Sequence, residues 1–263
     1  MYNTIDYRNT TIRFKDEGKG PVIVLLHGYL ESLEIWSEFS ADLAEFCRVV
    51  SIDLPGHCKS GVFGKVHTME LLAQTVKSVM DFLNTGKYFM VGHSLGGYVT
   101  LAFLELFPEY LSGLSLFHSQ SLADSNETIK NRKREIKLVE AGKKDLVYTV
   151  NVPKAFATDN LEKFSEQVDN AKKIARDIPG EGIIAVLNGM IERHDRSDIL
   201  ARTSLPVLWI LGRKDNYIPY EVIVKKVKLP KHGKLITLEN SGHMGFIEEK
   251  KKSLEAILGI LNC

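Results

Sequence analysis

The sequence of 263 residues has few cysteines and little excess of either charge, and each shortage excludes a class of protein. The three cysteines, Cys47, Cys58 and Cys263, are odd in number and lack paired spacing, so neither a disulfide framework nor a zinc site is expected. The 34 basic residues nearly balance the 33 acidic ones, which leaves a formal net charge of +1. A chain with so small a net charge has no strong electrostatic attraction for nucleic acid.

Long apolar runs are also missing. None approaches the length that spans a membrane, and the polar start, Met1 to Thr4, lacks the apolar centre of a signal peptide. The apolar fraction of 44% and charged fraction of 25% are ordinary for a globular protein, and the length fits one domain, or one domain with a sizeable insertion. We therefore expect a cytoplasmic protein, monomeric or homodimeric, that acts on a small molecule, with no nucleic acid partner.

Apolar runs alternate with helical patterns along the first part of the chain. Val22–Leu26 is apolar throughout, which is typical of a strand covered on both faces, and Arg48–Ile52 is a second such strand. Each is followed by apolar residues at helical spacing. This alternation predicts βαβ units, and hence an α/β fold with a mostly parallel central sheet flanked by helices. Residues 1–20 read as an edge hairpin.

The alternation stops after Phe117. From Ser119 to Arg202 there is no strand-like run, only helical patterns, and the strands resume at Pro206–Leu211. We therefore predict a core domain of residues 1–118 and 203–263, with residues 119–202 inserted as a helical cap. An insertion between two buried strands of this kind is expected to lie over the carboxyl ends of the sheet, where ligands bind in open α/β sheets.

The most informative stretch is Gly92-His93-Ser94-Leu95-Gly96, which has the spacing G-x-S-x-G. It lies between the apolar run Tyr88–Val91 and a helical pattern over Tyr98–Phe107, and that context identifies a nucleophile elbow. The tight turn requires a strained backbone at Ser94, and the two glycines allow strand and helix to approach closely. Ser94 is therefore the predicted nucleophile.

A serine hydroxyl needs a general base, and the base needs a group that orients it. Asp215 follows the strand Pro206–Leu211, and His243 follows the next strand, Lys234–Leu238. Both lie at carboxyl ends of strands and occur in the order serine, acid, histidine. We predict His243 as the base and Asp215 as its orienting acid. Asp124, after the strand that precedes the insertion, is the alternative acid.

An oxyanion that develops during acyl transfer needs hydrogen-bond donors. The backbone N–H groups of Leu95 and Tyr29 are the predicted donors, since Leu95 follows the nucleophile and Tyr29 lies in the loop after the first buried strand. The residues predicted to line the substrate pocket are Gly28, His93, His118, Leu187, Met190 and Met244.

No cofactor or metal is predicted. The histidines outside the predicted site lack metal-ligand spacing and are interpreted as structural or surface residues; they are His57, His67, His194 and His232. The basic run Lys130–Arg134 is surrounded by glutamates and is interpreted as a solvated helix face.

Together these stretches resemble the α/β-hydrolase fold superfamily, in its capped, carboxylesterase-like serine-hydrolase branch. The matching stretches are Leu26–Gly28, Asp53–His57, Val91–Gly97, Leu211–Asp215 and Ser241–Met244. The resemblance implies that a small carboxylic ester is cleaved through an acyl-enzyme by a Ser-His-Asp triad. The same residues also suit a carbon–carbon bond, amide or thioester hydrolase, or a ligand-binding member of the fold with slow turnover.

Two features depart from the family pattern. Cys58 takes the place of a usual glycine in Gly56–Ser60, so this loop is expected to be reshaped. The loop His27-Gly28-Tyr29-Leu30 is not the glycine-rich version found in one esterase branch. Ser94 also stands where haloalkane dehalogenases and the usual soluble epoxide hydrolases have an aspartate.

Overall fold

The computed structural model describes residues 2–261, which form an eight-stranded sheet flanked by helices. The prediction for Cys263 therefore lies outside the described residues. The strands are β1 (Tyr2–Tyr7), β2 (Thr10–Gly18), β3 (Val22–Leu26), β4 (Arg48–Ile52), β5 (Tyr88–His93), β6 (Leu111–Phe117), β7 (Val207–Gly212) and β8 (Gly233–Leu238). Their spatial order is β1-β2-β4-β3-β5-β6-β7-β8.

The first two strands form the predicted edge hairpin. β1 pairs with β2 in antiparallel register, and Arg8 and Asn9 between them have φ of +50° and +61°. Positive φ at both central residues is the geometry of a two-residue hairpin turn whose twist suits the strands. β2 pairs antiparallel with β4, and all other neighbours are parallel, so the predicted α/β class is confirmed.

The helices lie between and after these strands. They are α1 (Ser37–Ala44), α2 (Met69–Phe82), α3 (Leu95–Leu106), α4 (Asn126–Glu140), α5 (Lys144–Ala155), α6 (Ser165–Arg176), α7 (Gly180–Glu192), α8 (Ser197–Arg202), α9 (Tyr220–Lys226), α10 (Gly245–Glu248) and α11 (Lys250–Leu261). α2 packs on α3, and α1 packs on α11. Within residues 2–261, no helix combines the length and the apolar character needed to cross a bilayer.

The central strands explain the apolar runs of the sequence. Every residue of β5 and β7 is buried, because helices and neighbouring strands cover them on all sides. Burial of a single large apolar side chain of this kind stabilises a fold by roughly 1.5–3 kcal/mol. The sheet that results holds the carboxyl ends of β5, β7 and β8 at one edge, with β6 between β5 and β7.

Helices α4 to α8 occupy the stretch between β6 and β7. Residues 118–206, all of them described, contain no strand, as the sequence predicted. α7 is fastened to the loop before α2, because the His67 N–H donates to the Ala185 carbonyl at 2.8 Å. A Cβ on Gly189 would lie 1.6 Å from the His67 oxygen, so only glycine permits this approach. The end of the insertion is also held, since Arg196 pairs with Glu70 and Glu105.

Candidate active site

Ser94 stands at the turn between β5 and α3. Its φ of +49° and ψ of −112° are strained for a residue with a side chain. A Cβ on Gly92 would lie 2.3 Å from the Gly96 oxygen, and one on Gly96 would lie 2.3 Å from the Leu26 oxygen. The two glycines are therefore required by the close approach of α3 to β3 and β5. This is the geometry that the G-x-S-x-G spacing predicted.

Asp215 and His243 lie in contact, in the loops after β7 and β8. Asp215 Oδ2 is 2.7 Å from His243 Nδ1, while Oδ1 accepts the N–H groups of Tyr217 at 2.7 Å and Ile218 at 2.9 Å. Burial alone would raise the pKa of Asp215, but His243 and the hydrogen bonds outweigh it and hold that pKa well below its usual range. Asp215 is thus a buried, ionised acceptor for the His243 ring.

The alternative acid, Asp124, lies elsewhere. Its carboxylate is 2.6 Å from Arg132 Nε and 2.5 Å from Arg193 Nη1, on the insertion side of the cavity. Both of its oxygens are engaged by these arginines, whereas Asp215 contacts the histidine directly. The geometry therefore favours Asp215 as the partner of His243.

His118 is fully buried behind Asp215 rather than at the cavity wall where the sequence analysis placed it. Its Nδ1 is 3.3 Å from Asp215 Oδ2, and its Nε2 accepts the Gly245 N–H at 3.1 Å. Burial lowers the pKa of His118 to about 4, although Asp215 acts in the opposite direction. The His118 ring is therefore neutral at pH 7, and it packs against the Asp215 carboxylate on the side away from the cavity.

Two groups of side chains among residues 2–261 have metal-like spacing. His118, Asp215 and His243 have ligand atoms within 4.8 Å of one another, but hydrogen bonds already engage these atoms. The second group, Glu70, Glu105 and His194, lies at the surface. Its two carboxylates already pair with Arg196.

The loop after β3 approaches the elbow closely. A Cβ on Gly28 would lie 2.8 Å from His93 Nδ1 and 2.9 Å from Glu31 Oε2, so this position also requires glycine. Tyr29 follows at the cavity surface, and its hydroxyl donates to Glu135 Oε2 of α4 at 3.0 Å. Leu95 begins α3, so its N–H is among the helical donors that have no acceptor within the helix.

The His243 loop is tied to the insertion. The His243 N–H donates to the Ala155 carbonyl at 2.6 Å, and Glu248 Oε2 accepts the Gly242 N–H at 2.8 Å. Glu248 Oε1 accepts the Ala157 N–H, also at 2.8 Å. The end of α5 and the histidine loop are thus one connected structure.

A cavity of about 980 Å³ lies between the sheet and the insertion, with Ser94 and His243 in its wall. Met190 and Met244, two of the residues predicted to line a substrate pocket, are in its wall. The other predicted lining residues are buried away from it; they are Gly28, His93, His118 and Leu187. Leu187 lies on the same helix as Met190 but packs within the hydrophobic core.

The cavity wall has two unlike parts. One is mainly apolar and comes from α5, α6, α7 and the region of α9. Its residues are Leu146, Val147, Val150, Val152, Ala171, Met190, Ile218 and Ile223. The other is mainly polar and comes from α4 and the segment before it. Its residues include Gln120, Asp124, Thr128, Asn131, Arg132 and Glu135.

Arg132 departs from the interpretation of Lys130–Arg134 as a solvated face. Lys130, Lys133 and Arg134 are exposed, but the Arg132 side chain is only 16% exposed and lies in the cavity wall. Burial lowers its pKa, but the paired Asp124 carboxylate outweighs this and the pKa is raised overall. Arg134 also lines the cavity, but Arg132 is the one member of this run that is not exposed, and charge pattern alone could not separate it from its neighbours.

Cys58 has a φ of +46°, which explains why the resembling family has glycine there. Its side chain packs against the core and does not line the cavity. Burial, and then the charge of Asp53, raises the pKa of the thiol to about 11. The Gly56–Ser60 loop therefore holds an unreactive thiol, and its reshaping relative to the family stays a prediction.

The sequence analysis missed Glu31 and Tyr217. Glu31 contacts both Gly28 and His93, and Tyr217 packs its ring 5.2 Å from that of His243. For Glu31, the one available signal was its place three residues after Gly28 in the loop that follows the first buried strand. For Tyr217, the signal was its place two residues after the predicted acid.

Comparisons with known proteins agree with this architecture. A family model described as the alpha/beta hydrolase fold matches residues 21–250. The chain is 28% identical over 251 residues to the dihydrolipoyllysine-residue acetyltransferase component of the acetoin cleaving system of Pseudomonas putida. That match covers 92% of this chain but only 64% of that protein.

Two other similar proteins match over nearly their whole length. A pimeloyl-(acyl-carrier protein) methyl ester esterase of Aliivibrio fischeri strain MJ11 is 24% identical over 257 residues, which cover 96% of this chain and 98% of that protein. A solved structure of a thermophilic esterase from Thermogutta terrifontis, with malate bound, has a TM-score of 0.91 at 26% identity. It covers 100% of this chain and 98% of its own, so the likeness includes the inserted helices.

Proposed function

Because the chain belongs to the alpha/beta hydrolase fold family, we propose that it is a serine hydrolase that cleaves a small carboxylic ester. The observation that carries this proposal is the hydrogen bond of 2.7 Å between His243 Nδ1 and Asp215, beside a cavity that His243 and Ser94 both line. Asp215 is ionised and accepts a hydrogen bond from Nδ1–H, which leaves Nε2 of the His243 ring available as a base.

In the proposed reaction, Ser94 Oγ attacks the ester carbonyl while His243 Nε2 takes the hydroxyl proton. The resulting tetrahedral intermediate collapses when His243 returns that proton to the leaving alcohol, which leaves an acyl group on Ser94. Water, deprotonated by His243, then attacks the acyl carbonyl. The second collapse releases the carboxylic acid and restores Ser94.

The N–H groups of Leu95 and Tyr29 are the proposed donors to the oxyanion. Leu95 begins α3, where unsatisfied backbone donors and the helix dipole favour negative charge. Tyr29 directly follows Gly28, whose missing Cβ lets this loop approach His93 and Glu31. Loss of one such donor typically lowers kcat by about 10²–10³.

We also propose that residues 1–118 and 203–263 form the catalytic domain and that residues 119–202 form its cap. The unlike halves of the cavity wall support an ester with one apolar and one polar group. α5, α7 and the α9 region offer apolar side chains, whereas α4 offers amide, carboxylate and guanidinium groups. An apolar acyl chain would bury against the first set, since each buried CH₂ contributes about 0.8 kcal/mol.

A substrate panel and active-site labelling test this proposal. The panel pairs nitrophenyl esters, thioesters and anilides of equal acyl length, and a fluorophosphonate labels the nucleophile. We expect turnover of the esters above all and labelling of Ser94. Ser94→Ala should lose labelling and lower kcat by about 10⁶.

Ser78→Ala on α2 is the matched control, because its hydroxyl bonds only to the carbonyl of Thr75 within the same helix. It should keep normal labelling and turnover. Full activity in Ser94→Ala, or labelling at another residue, would contradict the mechanism. Faster turnover of the thioesters or anilides would replace the proposed bond class.

A further inference from the structure

A series of three hydrogen bonds joins the loop after β3 to the backbone of His243. The Gly28 N–H donates to Glu31 Oε2 at 2.6 Å, and the same oxygen lies 3.0 Å from His93 Nδ1. His93 Nε2 lies 2.8 Å from the His243 carbonyl oxygen. Glu31 is 7% exposed, His93 0% and His243 5%, so the whole series is buried.

The acceptors determine where the protons lie. A backbone carbonyl can only accept, so His93 Nε2 must carry a hydrogen. Glu31 Oε2 already accepts the Gly28 N–H. The contact between Glu31 Oε2 and His93 Nδ1 then allows two arrangements. Either His93 is an imidazolium that donates to a Glu31 carboxylate, or His93 is neutral and accepts from a protonated Glu31.

The electrostatic surroundings favour the charged pair. Burial lowers the pKa of His93, but the facing Glu31 carboxylate outweighs it and raises the pKa overall; Asp215 adds to this effect. For Glu31, burial alone would raise the pKa. The charge of His93 outweighs this effect, and the Gly28 hydrogen bond and His27 add to it, so the pKa of Glu31 is lowered overall. A buried charged pair needs hydrogen bonds to its charged groups, and here both His93 ring nitrogens and Glu31 Oε2 are engaged.

We propose that Glu31 and His93 form a buried ion pair that positions the oxyanion loop relative to His243, and that both are positioning residues for the hydrolysis. This inference rests on the proposed function. Tyr29, a proposed oxyanion donor, is covalently next to Gly28, and the ring of His243 is carried by the backbone that His93 holds. A displacement of about 1 Å in such groups lowers turnover by up to 10²-fold.

The pairing also removes an electrostatic conflict. Glu31 lines the same cavity as Ser94, so an uncompensated carboxylate there would oppose the negative charge that develops on the substrate oxygen. The positive charge of His93 beside it cancels this effect without reaching the cavity itself. His93 thus neutralises the charge of Glu31 and also fixes the distance between the loop after β3 and His243.

Glu31→Gln, His93→Gln and the double variant test the role in turnover. We expect each single change to lower kcat by about 10- to 100-fold while KM changes less than twofold, because the defect is in alignment rather than binding. The double variant should lose no more than the worse single variant, since both residues act through one pair. Losses that multiply, or a kcat for Glu31→Gln within twofold of wild type, would overturn the proposal.

Glu34→Gln is the matched control. This glutamate lies three residues further along the same loop, and it pairs with Arg13 and Ser32 rather than with the Glu31–His93 pair. It should lower the melting temperature but keep kcat within twofold. If Glu34→Gln lost as much kcat as Glu31→Gln, any disturbance of this loop would lower turnover, and the specific role of the Glu31–His93 pair would be refuted.

The charge state is measured separately, from the imidazole ¹⁵N shifts of His93 in the wild-type protein at pH 7.5. Two protonated nitrogens are expected in the wild type, and the neutral Nε2–H form in Glu31→Gln. A neutral His93 in the wild type overturns the ion pair even where a variant does not fold. Because this readout needs no turnover, it also separates failure here from failure of the proposed function, which Ser94→Ala reports.

Discussion

Replacement of Asp215 by asparagine should abolish most of the activity without unfolding the protein. Oδ1 of Asp215 accepts two backbone N–H groups, from Tyr217 and Ile218, so the amide oxygen of an asparagine would keep that position. Its NH₂ group would then lie where Oδ2 lies now, 2.7 Å from His243 Nδ1. That nitrogen would have to accept a hydrogen bond, which leaves the ring proton on Nε2.

A ring protonated on Nε2 cannot take the proton of Ser94. The same change of tautomer in serine hydrolases with this arrangement lowers kcat by about 10⁴. At 1.36 kcal/mol for each tenfold change, this loss corresponds to about 5 kcal/mol of transition-state stabilisation. KM should change little, because Asp215 does not line the cavity.

The assay is steady-state hydrolysis of a nitrophenyl ester at pH 7.5, with thermal unfolding monitored on the same samples. Asp124→Asn tests the alternative acid. It should lower stability, since Arg132 and Arg193 would lose their carboxylate, but it should keep kcat within tenfold of wild type. If Asp124→Asn is the damaging change and Asp215→Asn retains a tenth of the activity, the assignment of the acid is wrong.

Two further predictions concern the proposed cap and His118. Met190→Ala should shift the preferred nitrophenyl ester toward longer acyl chains because Met190 lines the cavity, whereas buried Leu187→Ala should cost about 2–5 kcal/mol of stability and leave the chain-length profile parallel to wild type. Identical profiles for both variants would show that the cap does not select the acyl chain. The pKa of His118 is about 4 in the folded protein against an ordinary value of 6.5, so its neutral form stabilises the fold fully above pH 6.5, and this contribution is lost as the pH falls toward 4. Urea unfolding between pH 4 and 7 should therefore show a smaller loss of stability in His118→Gln than in wild type; equal slopes would contradict the buried, neutral ring.

Local patterns predicted the parts of the site that depend on neighbours in the chain. The elbow at Ser94 could be predicted because strand, glycines and helix follow one another directly. Asp215 and His243 could be predicted because the ends of parallel strands meet at one edge of the sheet, so position after a strand implies proximity. The fold class followed from the same alternation of strands and helices.

Contacts between distant segments were beyond the reach of such patterns. His118 follows β6 and was expected at the pocket, but a φ of +46° at that residue accompanies a ring placed behind Asp215. Met190 and Leu187 are both apolar on one helix, and only the rotation of α7 against the sheet decides which faces the cavity. Glu31 and His93 are 62 positions apart, and nothing in either segment alone indicates their pairing.

The way in which α7 is joined to the sheet domain has a consequence for how substrates arrive. A cap that swings open as a unit must be held by contacts that break easily, but α7 is held by a backbone hydrogen bond and by glycine contacts with no side chain between. We therefore expect α7 to stay in place, together with the end of α5, whose Ala155 carbonyl accepts the His243 N–H, so that any opening involves α4 and the start of α5. Leu146 and Val150 of α5 are 54% and 65% exposed and border the cavity, so we expect molecules to enter past these apolar side chains. Selection at such an entrance would act before a molecule reaches Ser94, so discrimination would appear in the rate of entry rather than in the tightness of binding.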